Sequence, residues 1–151
     1  MYLGIQNGKI KFYTEQPLDP TFYNLDEIIE TQDEYVLDGE EYVLKDSAWE
    51  EKQKQAEKER IGNLYLTGAD VERGIYQAKG MDFEDIIALV TQLQPQGLDI
   101  KALKIELKAN NFYRGNPYVS AIGQLLGFTE EQLDKFFETN DYTVLLPVEN
   151  V

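Results

Sequence analysis

The sharpest constraint on this chain is a change of period, and it falls across one charged stretch. Residues 47–60, SAWEEKQKQAEKER, read as a single exposed helix. Ser47 and Glu50 have the S-x-x-E spacing of a capping box, and Glu50 precedes Lys54 by four, the orientation that supports an exposed helix. Four acids and four bases follow the cap, while Trp49 is the only large apolar side chain before Ile61, with the small Ala48 and Ala56 beside it. That is too few for a buried stripe. A helix of this length would run about 20 Å. The stretch is therefore a spacer or partner-binding strut, or simply a solvated connector. Before it the apolar residues alternate as in strands; after it they recur at about 3.6, as in helices.

Before the charged helix two hairpins can be written. Tyr2–Gln6 and Lys9–Tyr13 flank Asn7-Gly8, a type I′ turn signal. A two-residue turn would pair Ile5 with Ile10 and Leu3 with Phe12 on one face, turning Lys9 and Lys11 away. Residues 14–23, with Pro17 and Pro20, read as a loop, and Glu27–Thr31 as a short strand or a helical turn. DEYVLDGEEYVLKD repeats Tyr-Val-Leu around Asp38-Gly39. A two- or a four-residue loop puts Tyr35, Leu37, Tyr42 and Leu44 on one face. The acids at its end, Asp33, Asp38, Glu40 and Glu41, lack the twelve-residue calcium-loop pattern and read as a solvated hairpin end.

Beyond the charged helix, polar caps and glycine stops mark five helices. Thr67 with Asp70 opens the first, which carries Val71, Ile75 and Ala78 and stops at Gly80. Asp82 opens a second with Phe83, Ile86, Ile87 and Val90, and Asp99 a third with Ile100, Leu103 and Leu107. A fourth carries Val119, Ile122 and Leu125/Leu126 to Gly127. Thr129 with Gln132 opens a fifth holding Leu133, Phe136 and Phe137. Gly80-Met81-Asp82 and Gly127-Phe128-Thr129 repeat one design: helix, glycine stop, buried apolar residue, polar cap, helix. These pairs resemble helix-turn-helix units, but their second helices begin with Asp82, Glu84 and Asp85 or Glu130 and Glu131. Such ends would face phosphates with carboxylates, which argues against reading DNA.

The expected architecture is α+β. A small antiparallel β lobe (1–46) leads through the connecting helix (47–63) to a four- to five-helix bundle (64–141). The tail (142–151) contains TVLLPV and reads as an edge strand or a docking segment covered by this chain or another.

Composition narrows the chemistry. The chain has no cysteine and no histidine, which removes thiol nucleophiles, imidazole bases and most zinc or haem sites. No nucleotide-binding, hydrolase or metalloprotease motif is present. We expect neither catalysis nor a cofactor or metal. The N-terminus lacks a signal-like apolar region, and no run of the sequence approaches bilayer length. We expect action in the cytoplasm or in a particle assembled there. Net charge is −14, with eleven acids against three lysines in residues 1–46 and thirteen against seven bases in residues 62–151. This disfavours direct binding of nucleic acid or anionic membrane. It suits a basic protein partner or mimicry of nucleic acid, or it serves solubility alone.

The loop NNFYRGNPY (110–118) is the most distinctive. Its Tyr113, Arg114 and Tyr118 are the residue types of interface hot spots. In the other reading Phe112 and Tyr113 close the helical core and Arg114 pairs a local carboxylate. Trp49 on the charged helix and Glu40 and Glu41 on the hairpin complete the candidate partner-contact set.

The repeated YVL hairpin (35–44), the charged helix (48–60), the RIGNLYLT junction (60–67) and the LDKFFETNDY ending (133–142) resemble small proteins encoded in bacteriophage and prophage tail modules. The resemblance implies a tail-associated or tail-fibre-assembly role with a protein partner, and no family catalytic residues. The site of action would be the host bacterial cytoplasm, with incorporation into the virion left open. The acidity also suits a second role, that of an anti-defence inhibitor, anti-CRISPR-like, bound to a basic host nuclease.

Overall fold

The computed structural model describes residues 1–147, and its architecture is α+β. The chain divides into two compact units, Met1–Ala56 and the residues from Glu57 on, so the division falls inside the charged helix.

In the first unit, β1 (Tyr2–Gln6) lies between β2 (Lys9–Thr14) and β3 (Glu27–Glu30) in one antiparallel sheet. EIIE is thus a strand, not a helical turn. Asn7 and Gly8 both have positive φ, 52° and 76°, as a type I′ turn demands. Ile5 faces Ile10 as expected, but a bulge shifts the register so that Leu3 faces Tyr13 and Gly4 faces Phe12. The expected Leu3–Phe12 pair does not form. The consequence is a sheet apolar on both faces, because one extra residue exchanges the faces of everything beyond it. Leu3, Ile5, Tyr13 and Ile29 share one face, and Gly4, Phe12 and Ile28 the other. The loop 15–26 covers the second face. A β-carbon at Gly4 would stand 2.9 Å from Leu18 Cδ1 and 3.0 Å from Leu25 Cδ1, so the absent side chain is what admits both leucines.

The second hairpin, β4 (Tyr35–Asp38) and β5 (Glu41–Leu44), is a separate two-stranded sheet. Its register, Tyr35 to Leu44 and Leu37 to Tyr42, fixes a two-residue loop, Gly39-Glu40. Gly39 has φ 66°, which suits the first central position of a type II′ turn. The Tyr13 ring sits 5.6 Å from that of Tyr35 and 5.9 Å from that of Tyr42, packing the hairpin against β2.

The charged helix α1 runs Ser47–Gly62 and buries no residue. Its cap is Asp46 rather than Ser47: the Asp46 carboxylate accepts from the Trp49 N–H at 2.9 Å. Asp precedes the serine at the position where an extended backbone lets a short side chain reach back, and it binds the orphan donor as an anion. Lys54 pairs with Glu51 at 3.8 Å instead of with Glu50. We expect Asp46→Ala to cost about 1 kcal/mol and Ser47→Ala a few tenths. Urea unfolding followed by the fluorescence of Trp49, the chain's single tryptophan, measures both.

The second unit holds α2 (Gly68–Lys79), α3 (Phe83–Leu93), α4 (Ile100–Glu106), α5 (Pro117–Leu125) and α6 (Glu130–Thr139). The caps read from sequence recur. Thr67 accepts from Asp70, Asp99 from Ala102, and reciprocal capping boxes join Asp82 with Asp85 and Thr129 with Gln132. Gly80 and Gly127 are both left-handed, at φ 71° and 82°, but the two turns close differently: the Gly80 N–H donates to Tyr76 O, whereas the Gly127 and Phe128 N–H groups donate to Gln124 O and Gly123 O. Ile86, Val90, Leu103 and Phe136 form the most deeply buried part of the core. Gly74 of α2 and Gly123 of α5 are the close-approach positions, against Phe136 and Leu133 of α6 respectively.

Two strands in this unit depart from the expected all-helical reading. β6 (Tyr65–Thr67) pairs with β7 (Asn111–Tyr113) in an antiparallel ribbon, so part of the expected 110–118 loop is strand. The tail does not form an edge strand over its described part. Tyr142–Leu145 is a 3₁₀ turn that buries Leu145, and residues 148–151 of the expected segment lie outside the described residues. No helix among the described residues is long and apolar enough to cross a membrane.

Candidate protein-contact surfaces

The β6–β7 ribbon presents two unlike faces. Leu66 and Phe112 oppose each other on the inner face and are buried in the core. Tyr65 opposes Tyr113, and Thr67 opposes Asn111, on the outer face, where all four are exposed. Gly68 donates to Asn110 O and Arg114 to Leu64 O, both at 2.8 Å. Those bonds close the two ends of the ribbon, and the alternation of an antiparallel ladder from the Leu64–Arg114 end makes Tyr65–Tyr113 a non-hydrogen-bonded pair with close side chains. The two rings lie 5.8 Å apart, tilted by 46°, yet remain 57% and 51% exposed.

Arg114 holds this ribbon to the helices. Its side chain is buried, at 8% exposure, where a guanidinium must be paired. Nε donates to Asp134 at 2.8 Å, Nη1 to Ser120 Oγ at 3.0 Å, and Nη2 to the Glu130 carbonyl at 3.3 Å and to the Glu130 carboxylate. One side chain thereby ties the end of β7 to α5 and α6. Next to it, the Gly115 N–H donates to Gly62 O at 3.0 Å, an approach that a β-carbon at Gly115 would crowd.

Of the two readings of the 110–118 stretch, internal pairing describes Arg114, and its burial corrects the view of it as an exposed contact. Tyr118 is half-buried against the core, so it too differs from an exposed contact. Tyr113 faces outward rather than closing the core, a task that falls to Phe112. Tyr65, the exposed cross-strand partner of Tyr113, is a surface residue that sequence reading missed. Its signal was the Leu-Tyr-Leu alternation of residues 64–66, overlooked because so short a strand precedes a strong helix.

In the first unit, Glu40 is exposed on the hairpin loop and Glu41 half-buried opposite Asp38. Lys11 Nζ donates to the Glu40 carbonyl at 3.2 Å. Trp49 is half-buried, with Lys45 Nζ 5.9 Å from its ring centroid.

Ser120 Oγ donates to the Glu130 carboxylate at 3.1 Å, a geometry that elsewhere activates a hydroxyl. Here the Arg114 hydrogen bond holds the Glu130 carboxyl below the ordinary glutamate range, which weakens it as a base. The cavity inside the core is about 30 Å³, bounded by Ile75, Phe83, Leu107, Tyr118 and Phe136, and has room for about one water. Among the described residues, no group of three or more acidic side chains stands close enough to hold a metal ion. Comparison with protein families, curated proteins and solved structures gives no match for this chain.

The lowered Glu130 value makes stability pH-dependent. A carboxylate depressed in the folded state stabilises it above the unfolded value and loses that contribution as pH falls through the folded one. We therefore expect stability to decline on the acid side of the ordinary glutamate range. Glu130→Gln should flatten that decline, measured as urea midpoints across an acid series.

Proposed function

We propose that this protein is a non-enzymatic protein-interaction protein encoded by a bacteriophage or prophage, serving as a tail component or tail assembly factor in the host cytoplasm. The observation that carries the interaction reading is the Tyr65–Tyr113 pair, half-exposed on a ribbon whose other face is core. Tyrosine offers large amphipathic contact area with few rotatable bonds, and a rigid mount lowers the entropy cost of binding. The tail assignment rests on the resemblance of the YVL hairpin, the charged helix and the RIGNLYLT and LDKFFETNDY segments.

The test is affinity capture from a phage-producing host lysate, with mass spectrometry of the eluate and of purified virions. Recovery of tail proteins supports the reading, and presence in virions makes the protein a component rather than an assembly factor. A second reading, an acidic inhibitor of a basic host nuclease, draws support from the net charge of −14. A nuclease in the eluate, bound with affinity that falls steeply with salt, would favour it over the tail.

A further inference from the structure

Lysines gather on one short helix of this acidic chain. Of the seven bases in residues 62–151, three are Lys101, Lys104 and Lys108. Lys101 and Lys104 belong to α4, and Lys108 to the turn that closes it, where its N–H donates to Ile105 O at 3.1 Å. Positions three and four apart share a helix face. Ile105 therefore lies among the lysines, four positions from Lys101 and three from Lys108. All four side chains are exposed, Ile105 at 70%, while Leu103 and Leu107 on the opposite face are buried in the core.

This basic face has no compensating acid. No Asp or Glu stands three or four positions from any of the three lysines. The carboxylates nearest in sequence are engaged elsewhere: Asp99 accepts from the Ala102 N–H at 3.1 Å, and Glu106 from Asn116 Nδ2 at 2.9 Å. Among the described residues, none of the three lysines forms an ion pair. Helix stability explains only part of the pattern. The helix dipole favours Lys104 and Lys108 at the C-terminal end but opposes Lys101 in the first turn, and like charges at these spacings repel.

The same face specifies what fits on it. Charges beyond a Debye length of about 8 Å are largely screened, so at contact these lysines attract anions despite the net charge of −14. Phosphates of nucleic acid would pair with the lysines but place nothing apolar over Ile105. An anionic bilayer needs a wider apolar face than one side chain, and Leu103 and Leu107 turn inward. A protein segment supplies carboxylates and an apolar side chain together.

We propose that the α4 face binds an acidic segment of a protein partner, whose carboxylates pair with Lys101, Lys104 and Lys108 while an apolar residue covers Ile105. The proposal rests on the protein-interaction reading and adds a surface distinct from the tyrosine ribbon, with a defined partner chemistry.

The test titrates the full-length chain with two peptides of equal negative charge, an amphipathic leucine–glutamate peptide and oligoglutamate, and in parallel with oligothymidylate and phosphatidylserine vesicles. Amide shifts should centre on residues 100–108 with the first peptide. Ile105→Ser should weaken its binding about tenfold, the effect of leaving most of one isoleucine unburied, and change oligoglutamate binding less than twofold. Lys101→Gln with Lys108→Gln should weaken both peptides and reduce their salt dependence. All three substitutions fall on exposed side chains, and an unchanged circular dichroism spectrum verifies the fold. Leucine–glutamate binding that Ile105→Ser leaves within twofold overturns the proposal, as does the absence of shifts at 100–108 at millimolar peptide. Oligothymidylate or vesicles binding these residues as tightly as the leucine–glutamate peptide would make the face a phosphate site and overturn it too. Amide shifts centred on Tyr65 and Tyr113 overturn it while leaving the protein-interaction reading intact.

Discussion

Truncating Phe136 to alanine should lower the unfolding free energy by about 3–5 kcal/mol, the expected cost of deleting a fully buried phenylalanine. Phe136 is 1% exposed, edge-on to Phe137 at 6.0 Å, and its ring faces Gly74 of α2. Gly74→Ala tests the same contact from the other side, and the two possible effects differ in sign. In an open helix alanine is favoured over glycine by about 1 kcal/mol. At Gly74 the new β-carbon would stand 2.7 Å and 2.9 Å from the two ε-carbons of Phe136 and closer still to Cζ. The ring has no free end to swing away, and overpacking costs about 1–3 kcal/mol. We expect a net loss of about 1 kcal/mol. Double-variant analysis should show strong coupling, because Phe136→Ala opens the space that the alanine methyl needs.

Replacing Arg114 with methionine should cost about 2–3 kcal/mol. The shape is roughly kept, but the hydrogen bonds to Asp134, Ser120 and Glu130 are lost. Removing one partner of a buried pair costs about 3–5 kcal/mol when the other stays dry. Here the Glu130 and Asp134 side chains are 56% and 35% exposed, so water can take over part of their solvation. That argues for the lower figure. Arg114→Lys keeps the charge but lacks the planar fork, and should recover less than half of the loss. The ribbon should loosen with it, read as faster amide exchange at Tyr65 and Phe112.

Much of the second unit was legible because its signals are local. Cap residues sit within four positions of what they cap, and Gly80 and Gly127 stop helices by backbone conformation alone. The turn of the first hairpin was legible for the same reason. Features set by distant partners were not. The bulge that turns Phe12 away from Leu3 follows from Leu18 and Leu25 claiming the space over Gly4. The β6–β7 ribbon joins segments more than forty residues apart, and its three-residue strands leave little pattern to read. The Asp46 cap was hidden by a better-known signature one residue later. At the candidate surfaces, the kinds of residue could be read from sequence, but not which way each one faces. Tyr113 and Arg114 are neighbours in sequence, yet one is half-exposed and the other is buried among carboxylates.

The central claim is that the Tyr65–Tyr113 face serves recognition and not folding. The most direct test is the double variant Tyr65→Ser with Tyr113→Ser, measured for stability and for capture in parallel. Because both rings are more than half exposed, its thermal midpoint should fall by only a few degrees, about 1 kcal/mol at most for the cross-strand pair. Capture of phage tail proteins from a producing-host lysate should be lost. Unchanged capture would contradict the claim, and so would a collapse in stability comparable to that of Phe136→Ala.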